Sequence, residues 1–170
     1  KVIRLINEQK ATMIVEHISY DTIEGEYDSS IFTAEKATQS FDKAFLAKKA
    51  IQDYVFTDGS ADKSIERKFA EDLDAADEVC VYAKLPRTFQ IPTPVGNYSP
   101  DWAIAFYEGK VKHIFFIAET KGTMESLELR PIEQAKISCA KKLFNEMSTS
   151  NVVYHDVDSY QSLLNIMNSI

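Results

Sequence analysis

An uninterrupted apolar segment constrains the fold of this chain more than any other feature. Residues 114–118 read Ile-Phe-Phe-Ile-Ala, inside a run from His113 to Lys121. Because side chains alternate between the two faces of a strand, a strand that is apolar at every position must be covered on both faces. The sequence therefore predicts a central strand over residues 113–121, in a sheet with helices on each side. A chain of 170 residues, 45% of them apolar, can bury such a core within one domain.

Turn residues and hydrophobic spacing place the other elements around this strand. Three further strands are predicted, over residues 78–83, 101–107 and 151–157. Three helices are predicted, over residues 62–74 with Asp62 as N-cap, over 131–147 and over 160–167. The strands before and after Gly109 should be antiparallel neighbours, and the helix that follows them should be a crossover to a parallel strand. The expected order from residue 62 onward is α-β-β-β-α-β and then a helix, an α/β fold with a mixed β-sheet flanked by helices.

Residues 1–59 are interpreted as a lead-in from the preceding part of a longer chain, and residues 60–170 as the main domain. The turn cluster Thr57-Asp58-Gly59-Ser60 marks the boundary. Within the lead-in, the sequence predicts a strand over 12–20, an irregular loop over 21–39 and a helix over 40–56. The chain begins at Lys1 rather than at Met, which favours a fragment of a longer protein.

The sequence indicates neither a membrane protein nor an oxidising compartment. No apolar run approaches the roughly 18 residues that a membrane helix needs, and the N-terminus has no signal-peptide pattern. Cys80 and Cys139 lie inside apolar segments, as expected for free buried thiols, with a disulfide as the alternative. We therefore expect a cytoplasmic protein without a membrane partner.

The net charge of −7 argues at first against a nucleic-acid partner, because phosphate binding needs cations. The charge is unevenly distributed along the chain, however. Residues 1–80 carry 10 basic and 17 acidic side chains, whereas residues 81–150 carry 9 basic and 7 acidic side chains. The middle of the chain is thus net positive, and would become more so if its acids bound a divalent metal. Charge alone therefore does not exclude DNA.

The constellation that indicates chemistry is Asp101 with Glu119 and Lys121. Strand alternation puts Glu119 and Lys121 on one face, at the end of the central strand. Asp101 opens the preceding strand. A three-residue turn at 108–110 would pair Asp101 with Ile117 and place the Asp101 and Glu119 side chains on the same face, whereas a two-residue turn would place them on opposite faces.

Two carboxylates beside a lysine suit a site that hydrolyses phosphodiester bonds. Carboxylate oxygens are ligands that Mg²⁺ prefers, and the ion also bridges to phosphate oxygens. A neighbouring lysine can orient the attacking water and stabilise charge that develops on the phosphate. The alternative is a solvated cluster of charges at a strand end, since short acid–acid–lysine patterns also arise by chance.

Two short segments resemble the PD-(D/E)XK nuclease motif: Ser-Pro-Asp-Trp-Ala at residues 99–103 and Ala-Glu-Thr-Lys-Gly at residues 118–122. Longer segments resemble the C-terminal endonuclease domain of the Res (restriction) subunit of type III restriction enzymes, at residues 82–86, 89–96 and 98–103. So do residues 129–130, Glu133, residues 136–140 and Phe144. Residues 11–17 and 29–33 resemble the segment that precedes the nuclease in that subunit. The bare motif is short, whereas the run from Tyr82 to Lys121 is specific.

The resemblance implies a PD-(D/E)XK restriction-endonuclease-like core and the activity of a type III site-specific deoxyribonuclease, with Mg²⁺ as cofactor and double-stranded DNA as substrate. In the family, an Asp and a Glu hold the metal and a Lys serves the attacking water. These roles map onto Asp101, Glu119 and Lys121, with the carbonyl of Thr120 as a further metal ligand. The implied partners are an N-terminal helicase region of the same chain and the modification (Mod) methyltransferase subunit, in the bacterial cytoplasm. No G-x-x-x-x-G-K-[ST] loop is present in the chain, so ATP is expected only in the absent helicase part.

Three further residues carry two interpretations each. Glu66 lies on the apolar stripe of its predicted helix, so it is either a first-turn acid favoured by the helix dipole or a carboxylate that serves the metal site, as in many PD-(D/E)XK nucleases. Lys136 either extends along the core or reaches DNA phosphate. Arg130 either contacts the DNA backbone or lies on a solvated helix face. Trp102 should face away from Asp101 and belong to the core.

Two other functions remain open from the residues alone. The domain could bind DNA or dock onto the Mod subunit without cutting. It could also be another PD-(D/E)XK enzyme, such as a repair nuclease or a junction resolvase. The recognition sequence is not encoded here, because in type III systems the modification subunit reads the bases.

Overall fold

The computed structural model describes residues 43–57, 64–107, 109, 115–120, 131–147 and 152–169, and for residues 115–120 the description is of the backbone. The elements in chain order are β1 (Ala44–Leu46), β2 (Tyr54–Phe56), α1 (Ile65–Ala75), β3 (Val79–Lys84), β4 (Trp102–Phe106), β5 (Phe115–Thr120), α2 (Pro131–Met147), β6 (Val152–Val157) and α3 (Tyr160–Ser169). No helix in these described ranges is long and apolar enough to cross a membrane.

Within the described residues, the main sheet has four strands in the order β3-β4-β5-β6. β4 pairs antiparallel with both β3 and β5, and β5 pairs parallel with β6 after the crossover through α2. The predicted antiparallel neighbours and the predicted parallel strand are both confirmed. The order α-β-β-β-α-β over residues 65–157 is also the predicted one.

Helices cover both faces of this sheet, as the apolar segment at 114–118 requires. One face carries Trp102, fully buried as predicted, and packs against α1 and α3 through Phe69, Leu73 and Leu163. The other face packs against α2 and the loop after β3, in a cluster of Ile91, Tyr98, Ile137, Ala140 and Tyr154. Burying one such apolar side chain contributes about 1.5–3 kcal/mol, so the two clusters hold the layers together.

Helix α1 begins slightly later than predicted. Its N-cap is Ser64, whose side chain accepts a hydrogen bond from the Arg67 backbone N–H at 3.2 Å. The predicted cap, Asp62, lies outside the described residues. A serine hydroxyl satisfies one of the four unpaired N–H groups at a helix start, which explains why the helix begins here.

The helix predicted over residues 40–56 is wrong. Within the described part of that range, the chain forms an antiparallel hairpin in which Phe45 pairs with Val55. The spacing of apolar residues imitated a helical period, but Val55 is only 1% exposed because the hairpin packs it into the cluster around Trp102. Tertiary burial thus overrides a weak helical preference. The strand at 12–20 and the loop at 21–39 lie outside the described residues, and the domain boundary at 57–60 stays a prediction.

The segment between the two hairpin strands attaches to the outer edge of the sheet. The Ile51 backbone N–H donates to the Tyr82 carbonyl at 3.0 Å, and the Tyr82 N–H donates to the Lys49 carbonyl at 3.1 Å. Asp74 at the end of α1 accepts hydrogen bonds from the backbone N–H groups of Lys48 and Lys49, at 2.8 and 2.9 Å. The two bonds of Tyr82 pair part of the outer edge of β3, and Asp74 joins the hairpin segment to α1.

Both cysteines are free thiols, as predicted. Cys139 is buried in α2, but Cys80 is exposed on β3, which corrects the expectation that both would be buried. Strand alternation explains the difference, since Val79 before it is buried in the core.

Candidate active site

The end of β3 and the start of β4 form the frame of the candidate site. Lys84, the last residue of β3, pairs with Trp102, the first residue of β4. One step further, the Leu85 backbone N–H donates to the Asp101 carbonyl at 2.8 Å. Pro100 is fully buried, and its ring fixes the backbone that leads into Asp101. Backbone pairing and packing therefore hold Asp101 in place at the end of the sheet.

Three charged side chains meet at this point. The Lys84 ammonium forms an ion pair with the Glu66 carboxylate and lies 3.8 Å from Oδ1 of Asp101. The side chains of Glu66, Lys84 and Asp101 are 12%, 18% and 28% exposed. Charges withdrawn from water to this degree are tolerated only when they are paired. The structure thus brings together the two predicted carboxylates Glu66 and Asp101, through a lysine that the sequence argument did not assign to the site.

Glu66 reaches the cluster from the first turn of α1. This helix covers the face of the sheet that carries Trp102, whereas alternation puts Asp101 on the face opposite to Trp102. The two carboxylates therefore approach from different faces and meet at the end of the sheet, where the Lys84 side chain spans the gap. The Lys84 ammonium also lies 4.9 Å from the centroid of the Trp102 ring, within the range of a cation–π contact.

The backbone register places Glu119 opposite Asp101. Trp102 pairs with Ala118 and Ala103 pairs with Ile117, so one more step along both strands sets position 101 against position 119. The predicted register, with Asp101 opposite Ile117, is wrong by two residues. The prediction that positions 101 and 119 lie on the same face of the sheet is nevertheless retained. Directly opposed positions share a face and have Cα atoms about 4.5–5.5 Å apart.

The connection between β4 and β5 contains Gly109. Gly109 has φ 81°, a left-handed conformation that glycine adopts without strain. The Thr120 backbone ends β5 and pairs with Val157. The Glu119 and Thr120 side chains and the whole of Lys121 lie outside the described part of the chain.

Asp156 is a second residue that the sequence argument missed. It is the partner of Glu119 in the parallel ladder of β5 and β6, so the two positions share a face. Lys141 on α2 forms an ion pair with Asp156 at 2.5 Å. Burial alone would raise the pKa of Asp156, but the hydrogen bond and the positive charge of Lys141 outweigh it and hold the pKa below its usual value. Burial, and then the charge of Lys141, lower the pKa of the neighbouring His155.

A common signal marks the missed residues. Both Lys84 and Asp156 are charged residues at or near the end of a mostly apolar strand, as Glu119 is. Because the C-terminal ends of β3, β5 and β6 lie at the same end of the sheet, charged residues at these strand ends converge.

Of the two residues predicted to contact DNA, the structure describes Lys136, and its contact with DNA stays a prediction. Lys136 is partly buried on α2, and its Cε and Nζ lie 3.3 Å from the position that a Cβ atom on Gly96 would take. Gly96 has φ 114°, so the loop after β3 passes close to this lysine in a conformation that favours glycine. Arg130 lies outside the described residues.

The donor chemistry of the cluster suits a hard divalent cation. Among the side chains that the structure describes, no three His, Cys, Asp or Glu residues are grouped to hold a metal ion. Glu66 and Asp101 supply two carboxylates at one point, and the register adds the position of Glu119 opposite Asp101. Oxygen donors of this kind fit Mg²⁺ rather than zinc, which favours nitrogen and sulfur.

Sequence comparisons identify relatives of the chain. The profile of the endonuclease-domain family matches residues 48–160, a range that starts before the turn cluster at 57–60. The Res subunit of the type III restriction-modification enzyme EcoP15I of Escherichia coli is 34% identical over 106 residues, and the EcoPI Res subunit of Escherichia phage P1 is 33% identical over 106 residues. Each alignment covers 61% of this chain and 11% of the relative. No solved structure matches the chain significantly. Since the family profile covers more than half of its length, the chain belongs to the endonuclease-domain family, with relatives among the Res subunits of type III restriction enzymes.

Proposed function

We propose that the chain is a Mg²⁺-dependent endonuclease domain that hydrolyses phosphodiester bonds of double-stranded DNA, as part of a Res subunit of a type III restriction enzyme. The observation that carries the proposal is the meeting of Glu66, Lys84 and Asp101 at a sheet end where Asp101 faces the position of Glu119. Family membership supports the reaction class. The α-β-β-β-α-β order supports a PD-(D/E)XK core.

Each residue has a definite part in the proposed reaction. The carboxylates of Asp101 and Glu119, with the carbonyl of Thr120, hold Mg²⁺. When bound, the ion lowers the pKa of water and stabilises the charge that develops on the phosphate. Lys121 orients the water for in-line attack on phosphorus and offsets the negative charge of the phosphate oxygens. Glu66 keeps the Asp101 side of the site in place through Lys84, while Lys136 and Arg130 contact the DNA backbone.

The remaining parts of such an enzyme lie in other segments or chains. We propose that a helicase region of the same polypeptide uses ATP, and that a Mod methyltransferase subunit reads the DNA sequence in the bacterial cytoplasm. The relatives support this assignment, because both are Res subunits of type III restriction-modification enzymes and the aligned segment is 11% of each.

Metal titration by calorimetry tests the proposal, with plasmid cleavage as a second readout. The wild-type chain should bind Mn²⁺ or Mg²⁺ and nick supercoiled plasmid. Asp101→Asn should lose both properties, because an amide is a poorer ligand than a carboxylate. Asp77→Asn, which changes an exposed carboxylate in the turn before β3, is the matched control and should behave as wild type.

Two results would contradict the proposal. Equal metal binding by wild type and Asp101→Asn would place the ion elsewhere. Binding of DNA by the wild-type chain without cleavage, both alone and after addition of a Mod subunit, would favour the non-cutting assembly module.

A further inference from the structure

Lys84 lies outside the acid–acid–lysine pattern, yet it is the cation that the structure places on the candidate metal-binding carboxylates. Its ammonium pairs with Glu66 and lies 3.8 Å from Oδ1 of Asp101. An ammonium and a divalent cation use the same oxygen atoms of a carboxylate. A cation that binds Asp101 must therefore either displace Lys84 or tolerate a positive charge about one contact away.

The Trp102 ring gives the ammonium a second favourable contact. The Lys84 Nζ atom is 4.9 Å from the ring centroid, and the ring is completely buried, so its position is fixed. A lysine that gives up Asp101 keeps both Glu66 and the face of the ring. The side chain can thus move away from Asp101 without leaving an unpaired charge in a poorly hydrated place.

We propose that Lys84 is a positioning residue whose ammonium contacts Glu66 and Asp101 where a cation would bind, and that it competes with the divalent metal for Asp101. This inference rests on the proposed function, because it takes Asp101 as a metal ligand. Lys84 holds the carboxylates together before the metal arrives. It also weakens metal binding, because a bound divalent ion and the ammonium repel one another.

The test is a comparison of metal affinity and metal-free stability in charge-removing and charge-keeping variants of the 170-residue chain. Lys84→Met keeps the length of the side chain and removes its charge. It should lower the melting temperature without metal and tighten Mn²⁺ binding about tenfold, as expected when a like charge within contact distance is removed. Lys84→Arg keeps the charge and should retain the weaker affinity of wild type. A purely structural ion pair would lower the melting temperature but would not tighten metal binding.

A second pair of variants keeps the proposal testable if Lys84→Met does not fold. Glu66→Gln removes the carboxylate that Lys84→Met would leave unpaired, so Glu66→Gln/Lys84→Met is compared with Glu66→Gln alone. Tighter Mn²⁺ binding by the double variant supports competition by Lys84, and equal or weaker binding overturns it.

The outcomes also separate this inference from the proposed function. If wild type binds Mn²⁺ through Asp101 but removal of Lys84 does not tighten binding, the inference fails and the proposed metal site stands. If neither wild type nor any Lys84 variant binds Mn²⁺, both the proposed metal site and the competition by Lys84 are wrong.

Discussion

Glu66 and Lys84 form an ion pair in a place where each charge alone would be costly. The two side chains are 12% and 18% exposed, so water compensates little for the loss of a partner. The Lys68–Asp72 pair lies on the same helix, but its two side chains are 78% and 37% exposed. The two pairs therefore allow the effect of burial on an ion pair to be measured within one helix.

We expect Glu66→Gln to lower the free energy of unfolding by about 2 kcal/mol, because the substitution removes the carboxylate that pairs most closely with the partly buried Lys84 charge. Asp72→Asn should change it by less than about 0.5 kcal/mol, since an exposed i,i+4 pair contributes little. Urea denaturation of the three proteins measures both differences. Equal losses in the two variants would mean that burial does not strengthen the Glu66–Lys84 pair.

The Asp156–Lys141 pair leads to a prediction about acid stability. The pKa of Asp156 is lower in the folded chain than its ordinary value of 3.8, so the pair contributes stability above that value and loses it as the pH falls through the folded pKa. Asp156→Asn should therefore be less stable than wild type at pH 7, and the difference should shrink below about pH 4. Melting temperatures between pH 2 and pH 7 check this, with Asp77→Asn as control. A difference that stays constant down to pH 2 would contradict the prediction.

At the level of elements, Asp74 links helix α1 to the sheet and to the hairpin. Its carboxylate accepts hydrogen bonds from the backbone N–H groups of Lys48 and Lys49 and from the Tyr82 hydroxyl, the last at 3.2 Å. Burial, together with the charge of Asp74, raises the pKa of Tyr82 far above its ordinary value, so the hydroxyl stays a donor. One side chain thus ties three elements together.

We expect Asp74→Ala to cost about 1–3 kcal/mol, because two backbone N–H groups lose a charged acceptor. Amide hydrogen exchange should speed up at Lys48 and Lys49 first, before the strands of the main sheet are affected. Asp72→Ala, which removes an exposed ion pair to Lys68, is the control and should leave this exchange unchanged. Unchanged protection at Lys48 and Lys49 in Asp74→Ala would rule out the anchoring role.

The elements that were predicted correctly are those whose structure is determined by the residues within them. The helix at 131–147 has the predicted bounds because proline suits its first turn, and β5 follows from its apolar run. The hairpin at 44–56 could not be predicted, because its strands gain their stability from packing on Trp102 and from hydrogen bonds to Tyr82, which are distant in sequence. In the site, the motif located Asp101 and the helical stripe located Glu66. The charge of Lys84 at the end of a strand is visible in the sequence, but its place beside Asp101 depends on the pairing of β3 with β4, which is not local.

At the scale of the whole molecule, the topology brings charged residues together at one end of the sheet. Lys84, Asp101 and Glu119 lie at the ends of neighbouring strands, with Asp156 next to Glu119. Because β4 runs opposite to β3 and β5, its first residues meet their last ones. Carboxylates outnumber cations among these residues, and the chain has a net charge of −7. A divalent cation at this end of the sheet would therefore relieve repulsion between the carboxylates and also lower the electrostatic barrier to an approaching phosphate.

Metal binding at this end of the sheet should stabilise the entire domain. A ligand that binds only the folded state adds about 2.7 kcal/mol when its concentration is 100 times its dissociation constant. For a chain of this length, that corresponds to a rise in melting temperature of roughly 5–10 °C.

Without metal, Asp101→Asn should melt close to wild type, since it removes one carboxylate from a crowded site while Glu66 still pairs with Lys84. It should respond little to Mg²⁺. Lys121→Ala should show the full rise in melting temperature but lose DNA cleavage, because the ion is held while the water is no longer oriented. Thermal melts of the three proteins across a Mg²⁺ series, paired with plasmid nicking, measure both effects. Equal rises in the melting temperature of wild type and Asp101→Asn would mean that the ion does not bind at this end of the sheet.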